Sequence, residues 1–221
     1  MPLANPIVPT EIRNQAASGD YISMVDLNGI PYKISKADLL AGLSSSGNTS
    51  TNLAFASSGD ANGICYWMGA KEGTWANPHT TGILQVSASS LQAGSLAQIV
   101  DRSAGIPMFT LNLASSWISV NFKSYKIKPS YYSIRHDNET GYYLRSWILQ
   151  GSNDNGSTWV NLDVRTNDTT INSPDGWGSF PVLGANAFYR ILRIISTGLD
   201  SSGSNYFCLG ELEFYGEVAV L

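Results

Sequence analysis

Charge is scarce in this chain. Asp, Glu, Lys and Arg together make up 14% of its 221 residues, against about a quarter in ordinary soluble domains. The formal net charge is −4, and no run of Lys or Arg occurs. The chain therefore lacks the basic footprint that nucleic acid or an anionic membrane requires. No apolar run approaches the length of a membrane span. Met1-Pro-Leu-Ala-Asn5 has neither the basic start nor the apolar core of a secretory leader. Only two His and two Cys are present, which leaves few groups for imidazole or thiolate chemistry. There is no Gly-x-Ser-x-Gly elbow and no His-Glu-x-x-His pair, so nucleophilic catalysis and zinc chemistry have no motif to rest on. Gly, Ser, Asn and Thr are plentiful instead, the profile of a turn-rich β protein with a polar, weakly charged surface. The length suits one large β domain with an appendage.

Residues 1–43 form the appendage. Pro2, Pro6 and Pro9 predict an extended arm. Tyr21–Asp26 and Ile30–Ile34 read as short strands about an Asn28-Gly29 turn, a hairpin signal. Ser35 begins a predicted short helix, with Asp38 imitating a capping box, Ile34 and Leu39 as a hydrophobic staple and Gly42 at the stop. So small a unit needs a partner to fold. Residues 44–51 are Ser-, Gly-, Asn- and Thr-rich and read as a linker.

Residues 52–221 consist of short strands and turns. Ile118, Val120 and Phe122 alternate with Ser119 and Asn121, as in a half-buried strand. Arg190–Ile195 is apolar on both faces and predicts a central strand. In Trp147-Ile-Leu-Gln-Gly-Ser-Asn-Asp-Asn-Gly-Ser-Thr-Trp159 two strands flank a tight turn. Asn and Gly there tolerate positive φ, and the segment lacks the spacing of a calcium loop. The pattern predicts an all-β sandwich or jelly roll.

Four pieces in order, Trp117–Phe122, Trp147–Trp159, Phe188–Ile194 and the closing Leu209-Gly-Glu-Leu-Glu-Phe-Tyr-Gly216, resemble the discoidin or coagulation factor 5/8 type C family. Asn62–Trp67, Tyr132–His136 and Leu144–Trp147 are similar to its intracellular branch. The resemblance implies a galactose-binding-like jelly-roll β-sandwich that binds partners through loops at one end. It implies no catalytic residue and no cofactor, although some relatives of the fold carry a structural calcium in a loop. It brings the strand regions of Cys65 and Cys208 together, either as neighbouring free thiols or as a disulfide; the missing leader favours thiols. Separately, Gly19–Asp26 and Tyr32–Gly42 resemble a segment near the N-termini of bacteriophage tail-fibre proteins.

Candidate ligand residues come from the loops. Trp75, Tyr142 and Trp177 are aromatics that could stack on a sugar ring. His79 and His136 could donate to oxygens. An Arg at a sandwich end could fork to a ligand oxyanion or bridge to a loop Asp; Arg145 sits in the Leu-Arg-x-Trp pattern of the resembled family and reads as structural, which leaves Arg102 as the better ligand candidate. Asp137, Glu139, Asp154, Asp163, Asp168 and Asp175 are loop acids, and nothing singles out a hydrolytic pair among them.

These readings converge on a non-enzymatic virion protein of a phage tail or baseplate, made in the host cytoplasm. Residues 1–43 would attach it to other virion proteins, as a homotrimer, and the sandwich would bind a host-surface glycan. A structural adaptor gripping another viral protein is the alternative.

Overall fold

The computed structural model describes residues 21–25, 29–36, 50–71, 73–102 and 108–221. The chain divides into two compact units, Met1–Thr49 and Ser50–Leu221. In the first, β1 (Tyr21–Val25) pairs antiparallel with β2 (Pro31–Ser35), with Tyr21 opposite Ser35 and Val25 opposite Pro31. Gly29 has φ +79°, as the predicted hairpin turn needs. The arm, most of the predicted helix with Asp38, Leu39 and Gly42, and most of the linker lie outside the described residues.

The second unit is a sandwich of two antiparallel sheets. One has strand order β10 (Trp177–Pro181), β7 (Tyr125–Arg135), β13 (Glu211–Val220), β3 (Thr51–Leu53). The other runs β4 (Gln85–Ala88), β6 (Trp117–Asn121), β11 (Ile191–Ser196), β8 (Trp147–Ser152), β9 (Val160–Arg165). A short ladder joins β5 (Met108–Phe109) to β12 (Cys208–Leu209). The doubly apolar strand β11 is central, as its composition predicts. The two long strands β7 and β13 pair over their whole length, with a bulge at Tyr215/Gly216. Gly216 has φ +134°, and a Cβ there would lie 2.3 Å from the Lys128 carbonyl oxygen; only glycine fits the bulge.

The core lies between the sheets. Ile118, Val120, Trp147, Leu149, Leu192 and Ile194 face Ile127, Tyr132, Ile134, Phe180, Leu212 and Phe214, all buried. One polar line crosses it. Trp147 Nε1 donates to the Tyr132 hydroxyl at 2.8 Å, and that hydroxyl donates to Asp163 Oδ2 at 2.7 Å. A buried indole and phenol thereby find partners.

One local expectation shifts, and the favoured reading of free thiols holds. Cys65 sits on a short helix, α1 (Ile64–Ala70), not on a strand. Both cysteines are buried free thiols. Glu211, Glu213 and Tyr215, which alternate with Leu212 and Phe214 on the last strand, are buried as well, because α1 and the loop carrying Arg102 cover that side.

Candidate functional site

Where β7 ends and β13 begins, Arg135 stands opposite Glu211. Two groups of acids lie at this end of the sandwich, and they are built differently.

The first is Glu211 and Glu213. Glu213 Oε1 accepts from the backbone N–H groups of Cys65 at 2.7 Å and Phe214 at 2.9 Å, and Oε2 from that of Tyr66 at 3.0 Å. Helix α1 has no side-chain cap of its own; this carboxylate from a distant strand satisfies its first donors. A Cβ at Gly63 would come within 2.1 Å of Glu213 Cδ, so the helix start must be glycine for the acid to reach it. Arg102 Nη2 donates to the Gly59 carbonyl at 2.6 Å, and Nη1 lies 3.5 Å from Glu211 Oε1 and 3.8 Å from Glu213 Oε2. Arg135 Nη2 lies 3.4 Å from Glu211 Oε2. Burial raises the Glu213 carboxyl to about 7, against the pull of its three N–H donors. It raises Glu211 as well, with Arg102 and Arg135 opposing.

The second group is Asp137, Glu139 and Asp200. Asp137 Oδ1 accepts from the Glu139 N–H at 3.0 Å and lies 3.2 Å from His136 Nε2. Its Oδ2 is buried with no hydrogen-bond partner. Burial raises the Asp137 carboxyl, with the Glu139 N–H and His136 opposing. Asp200 Oδ1 accepts from Ser202 and Ser204, and its Oδ2 is likewise buried and unpartnered. The Cys208 thiol is pushed far up by burial and then by Asp137, Asp200 and Glu139, so all three acids act on one point.

A cleft of about 280 Å³ opens there. Its lining combines the polar groups of Asp137, Glu139, Cys208 and Gln92 with the rings of Phe109, Tyr206 and Tyr142. The rings meet edge to face, Phe109 to Tyr206 at 6.1 Å and Tyr206 to Tyr142 at 5.4 Å. Tyr142 adopts φ +54°, a strained setting for an aromatic residue. Its N–H donates to Ser202 Oγ at 3.1 Å, which holds the strain, and 38% of the residue stays exposed. No group of three or more His, Cys, Asp or Glu among the described residues is arranged to hold a metal ion.

Of the six residues singled out from sequence, Tyr142 alone lines this cleft. Arg102, expected as the guanidinium for a ligand, is tied to Gly59, Glu211 and Glu213 instead. His136, the second candidate imidazole donor, is 1% exposed, with its ring against Tyr143 at 4.6 Å. His79 Nδ1 accepts from the Val86 N–H at 3.0 Å, and burial and then Lys123 lower its pKa; it joins a loop to β4. Trp75 packs on Gly69 of α1, where a Cβ would lie 2.6 Å from its Nε1. Trp177 opens β10 opposite Arg135, 5.6 Å from that guanidinium, and rests on Gly59. Arg145 is structural, as expected, donating to the Ile171 carbonyl at 2.7 Å. Phe109, Asp200 and Cys208 are not singled out as ligand groups by the sequence.

No family model matches the chain. It is 34% identical over 170 residues to the E3 ubiquitin-protein ligase Ufd4 of Drosophila melanogaster, covering 72% of this chain and 6% of that protein. It is 30% identical over 172 residues to the BTB/POZ domain-containing protein At2g30600 of Arabidopsis thaliana, covering 72% and 21%. The E3 ubiquitin-protein ligase hecd-1 of Caenorhabditis elegans gives 30% over 170 residues, covering 72% and 6%. The chain thus spans a small part of each relative. Among solved structures, CBM32-3 from a family 31 glycoside hydrolase of Clostridium perfringens superimposes with a TM-score of 0.51 at 14% identity, over 62% of this chain and 92% of that one. The family 32 CBM from C. perfringens NanJ, solved in complex with galactose, gives 0.50 at 14%, over 63% and 97%. The fold is the galactose-binding-like jelly-roll sandwich that the sequence pattern implied.

The virion reading does not survive. The sequence relatives are eukaryotic proteins, two of them named as ubiquitin ligases. That overturns both the tail or baseplate role, in its adhesive and adaptor forms, and the virion location. The attachment role of residues 1–43 and the threefold assembly rested on the tail-fibre resemblance, which these comparisons do not reproduce.

Proposed function

We propose that this chain is a non-catalytic recognition module whose sandwich binds a carbohydrate in the Tyr142–Tyr206 cleft. One observation carries the reading: a row of aromatic rings lines the same cleft as Asp137, a buried acid with one unpartnered oxygen. Sugar recognition asks for both, an apolar face for the C–H face of the ring and fixed acceptors for its polar groups. The cleft's 280 Å³ is near the low end of ligand pockets and suits a single ring. The galactose complex of a neighbour with the same fold supports this class of ligand. The acids take no hydrolytic role in this reading. Prolonged incubation with a bound polysaccharide should leave its chain length unchanged. Depolymerisation that vanishes in Asp137→Asn would sink the non-catalytic part. The binding test is a glycan panel titrated against the full chain by ligand-observed NMR, with Tyr142→Ala alongside.

A second reading is a docking module for protein. The two ubiquitin-protein ligases among the relatives favour it, since ubiquitin is itself a protein. Binding of a protein segment at the cleft, with no glycan binding in the panel, would select it.

A further inference from the structure

The outer face of the five-stranded sheet carries a cation that the fold leaves uncompensated. Side chains alternate along a strand, so the neighbours of the buried Ile118, Leu149 and Ile194 point away from the core. Strand register sets these outward residues in rows across the sheet. In one row Val164 stands opposite Ile148, Ile148 opposite Ile195, and Ile195 opposite Trp117. All four are apolar; Val164 is 58% exposed, and the other three are half-buried. In the next row Arg193 stands opposite Gln150. Its guanidinium carbon lies 3.8 Å from the Trp159 ring centroid and 6.0 Å from that of Trp117. Its Nε and Nη2 donate to Gln150 Oε1 at 3.0 and 2.6 Å. Gln150 is turned that way because its Nε2 donates to Asn161 Oδ1 at 2.8 Å. Stacking and this fork fix the guanidinium in place. Gln150 offers only a neutral oxygen. Arg102, Arg135 and Arg165 each face a carboxylate. No Asp or Glu lies within salt-bridge distance of Arg193 among the described residues. Partial burial lowers its pKa, with no acid to oppose the loss.

We propose that this sheet face docks an extended segment of a partner protein, with an Asp or Glu side chain on Arg193 and an apolar side chain two residues away on the row from Val164 to Trp117. A guanidinium has five donors, and Gln150 occupies one edge of it; a carboxylate supplies both the remaining acceptor and the missing charge. The two rows are two residues apart along the strands, as Ile195 is from Arg193, which is about 7 Å. The same spacing separates side chains on one side of an extended segment. Trp and Arg side chains with apolar surface around them are also what the centre of a protein interface is made of. A nucleic acid would need further cations beside Arg193, and a neutral sugar would leave the charge unmet. The face shares no residue with the Tyr142–Tyr206 cleft, so the proposal does not depend on the carbohydrate reading.

The experiment titrates the full chain, labelled with nitrogen-15, with the capped peptide Thr-Val-Thr-Glu-Thr and with its Gln and Lys counterparts. The indole N–H signals are followed at low and high salt. The Glu peptide should move the signals of Trp117 and Trp159 and leave that of the buried Trp147 in place. A charge-assisted hydrogen bond changes affinity by roughly tenfold or more. The Gln peptide should therefore bind about tenfold more weakly, the Lys peptide should move neither signal, and added salt should shrink the gap between Glu and Gln. Arg193→Met keeps an apolar stem beside Trp159 and should abolish the preference for Glu. Val164→Ser, at an exposed position, should weaken the Glu and Gln peptides alike. Tyr142→Ala should change none of this. Equal binding of the Glu and Gln peptides would overturn the proposal, and so would two unmoved indole signals at millimolar peptide. A neutral oligosaccharide that moves both signals where the Glu peptide moves neither would assign the face to sugar instead. If Arg193→Met fails to fold, the Glu and Gln comparison on the native chain with the salt series still decides.

Discussion

Two acid clusters share one end of this sandwich, and one is complete while the other is not. Glu211 and Glu213 have every oxygen met by backbone N–H groups or by Arg102 and Arg135. Their partners come from α1, from the loop at Arg102 and from β7. The cluster thus ties three parts of the chain to β13. Asp137 and Asp200 have each met one oxygen and left the other buried and bare. Buried polar groups in folded proteins are nearly always partnered, so a bare pair beside an aromatic cleft is where a ligand has most to contribute. The difference separates acids that hold the fold from acids that wait for a partner. Charge and burial alone would not have told them apart.

The largest expected effect is on the complete cluster. Glu213→Ala strips α1 of its cap and leaves Arg102 facing a single acid. Breaking a buried charged arrangement costs about 3–5 kcal/mol, and chemical denaturation should show a loss of that order. Arg102→Ala should also destabilise, by exposing Glu211 and Glu213 to each other in a dry site. Should Arg102→Ala leave the urea midpoint unchanged while abolishing ligand binding, the assignment of the two clusters would have to be reversed.

The second expectation is a pH dependence with an unusual sign. Carboxylates whose pKa is lowered by a cation or by hydrogen bonds cost the fold stability as pH falls. Glu213 is raised from 4.5 to about 7 in the folded chain, so the folded state holds its proton more tightly than the unfolded one. Between those values the unfolded chain binds fewer protons, and stability falls as pH rises. Glu211 and Asp137 are raised too and act in the same direction. The loss from pH 5 to pH 7.5 should be on the order of a few kcal/mol. Glu213→Gln should flatten the slope while lowering stability throughout, because the amide offers only one acceptor to three N–H groups. A wild-type profile that is flat or rises over this window would mean that the N–H donors outweigh burial.

Much of the fold was legible before any coordinates, and the site was less so. Alternation in Ile118–Phe122 and the doubly apolar Arg190–Ile195 placed strands correctly, because strand burial is written in nearest-neighbour periodicity. The Asn153–Gly156 turn was readable for a similar reason: its φ signature is local, with Asn155 at +57° and Gly156 at +85°. Cys65 was misplaced because Ile64–Ala70 is seven residues long and capped from β13; no cap is visible in its own sequence. Arg102 was misjudged for the same kind of reason. Its partners, Gly59, Glu211 and Glu213, lie up to 111 positions away, counting from 102 to 213. Asp137 was one acid among six, since sequence does not say which carboxylate is buried and bare. The biological setting was misread on about 25 residues of N-terminal resemblance, while the sandwich carried the relatives that corrected it.

The smallest expected effect on stability falls on the incomplete side. Tyr142 is exposed for 38% of its surface and touches the fold mainly through its backbone and the edge of Tyr206. Tyr142→Ala keeps the N–H that donates to Ser202 Oγ. Surface changes of this kind usually shift stability by no more than about 0.5 kcal/mol, and the melting curve should hardly move. Ligand affinity should drop about fivefold, the worth of an aromatic contact of roughly 1 kcal/mol. Phe109→Ala is the contrasting control: it lies on the β5–β12 ladder and takes part in backbone pairing with Ala93 and Cys208, so it should lose stability and affinity together. A Tyr142→Ala variant that melts early would place the tyrosine with the structural cluster. One that melts normally and binds normally would empty the cleft of its proposed role, because Tyr142 is the exposed large ring among the residues that line it.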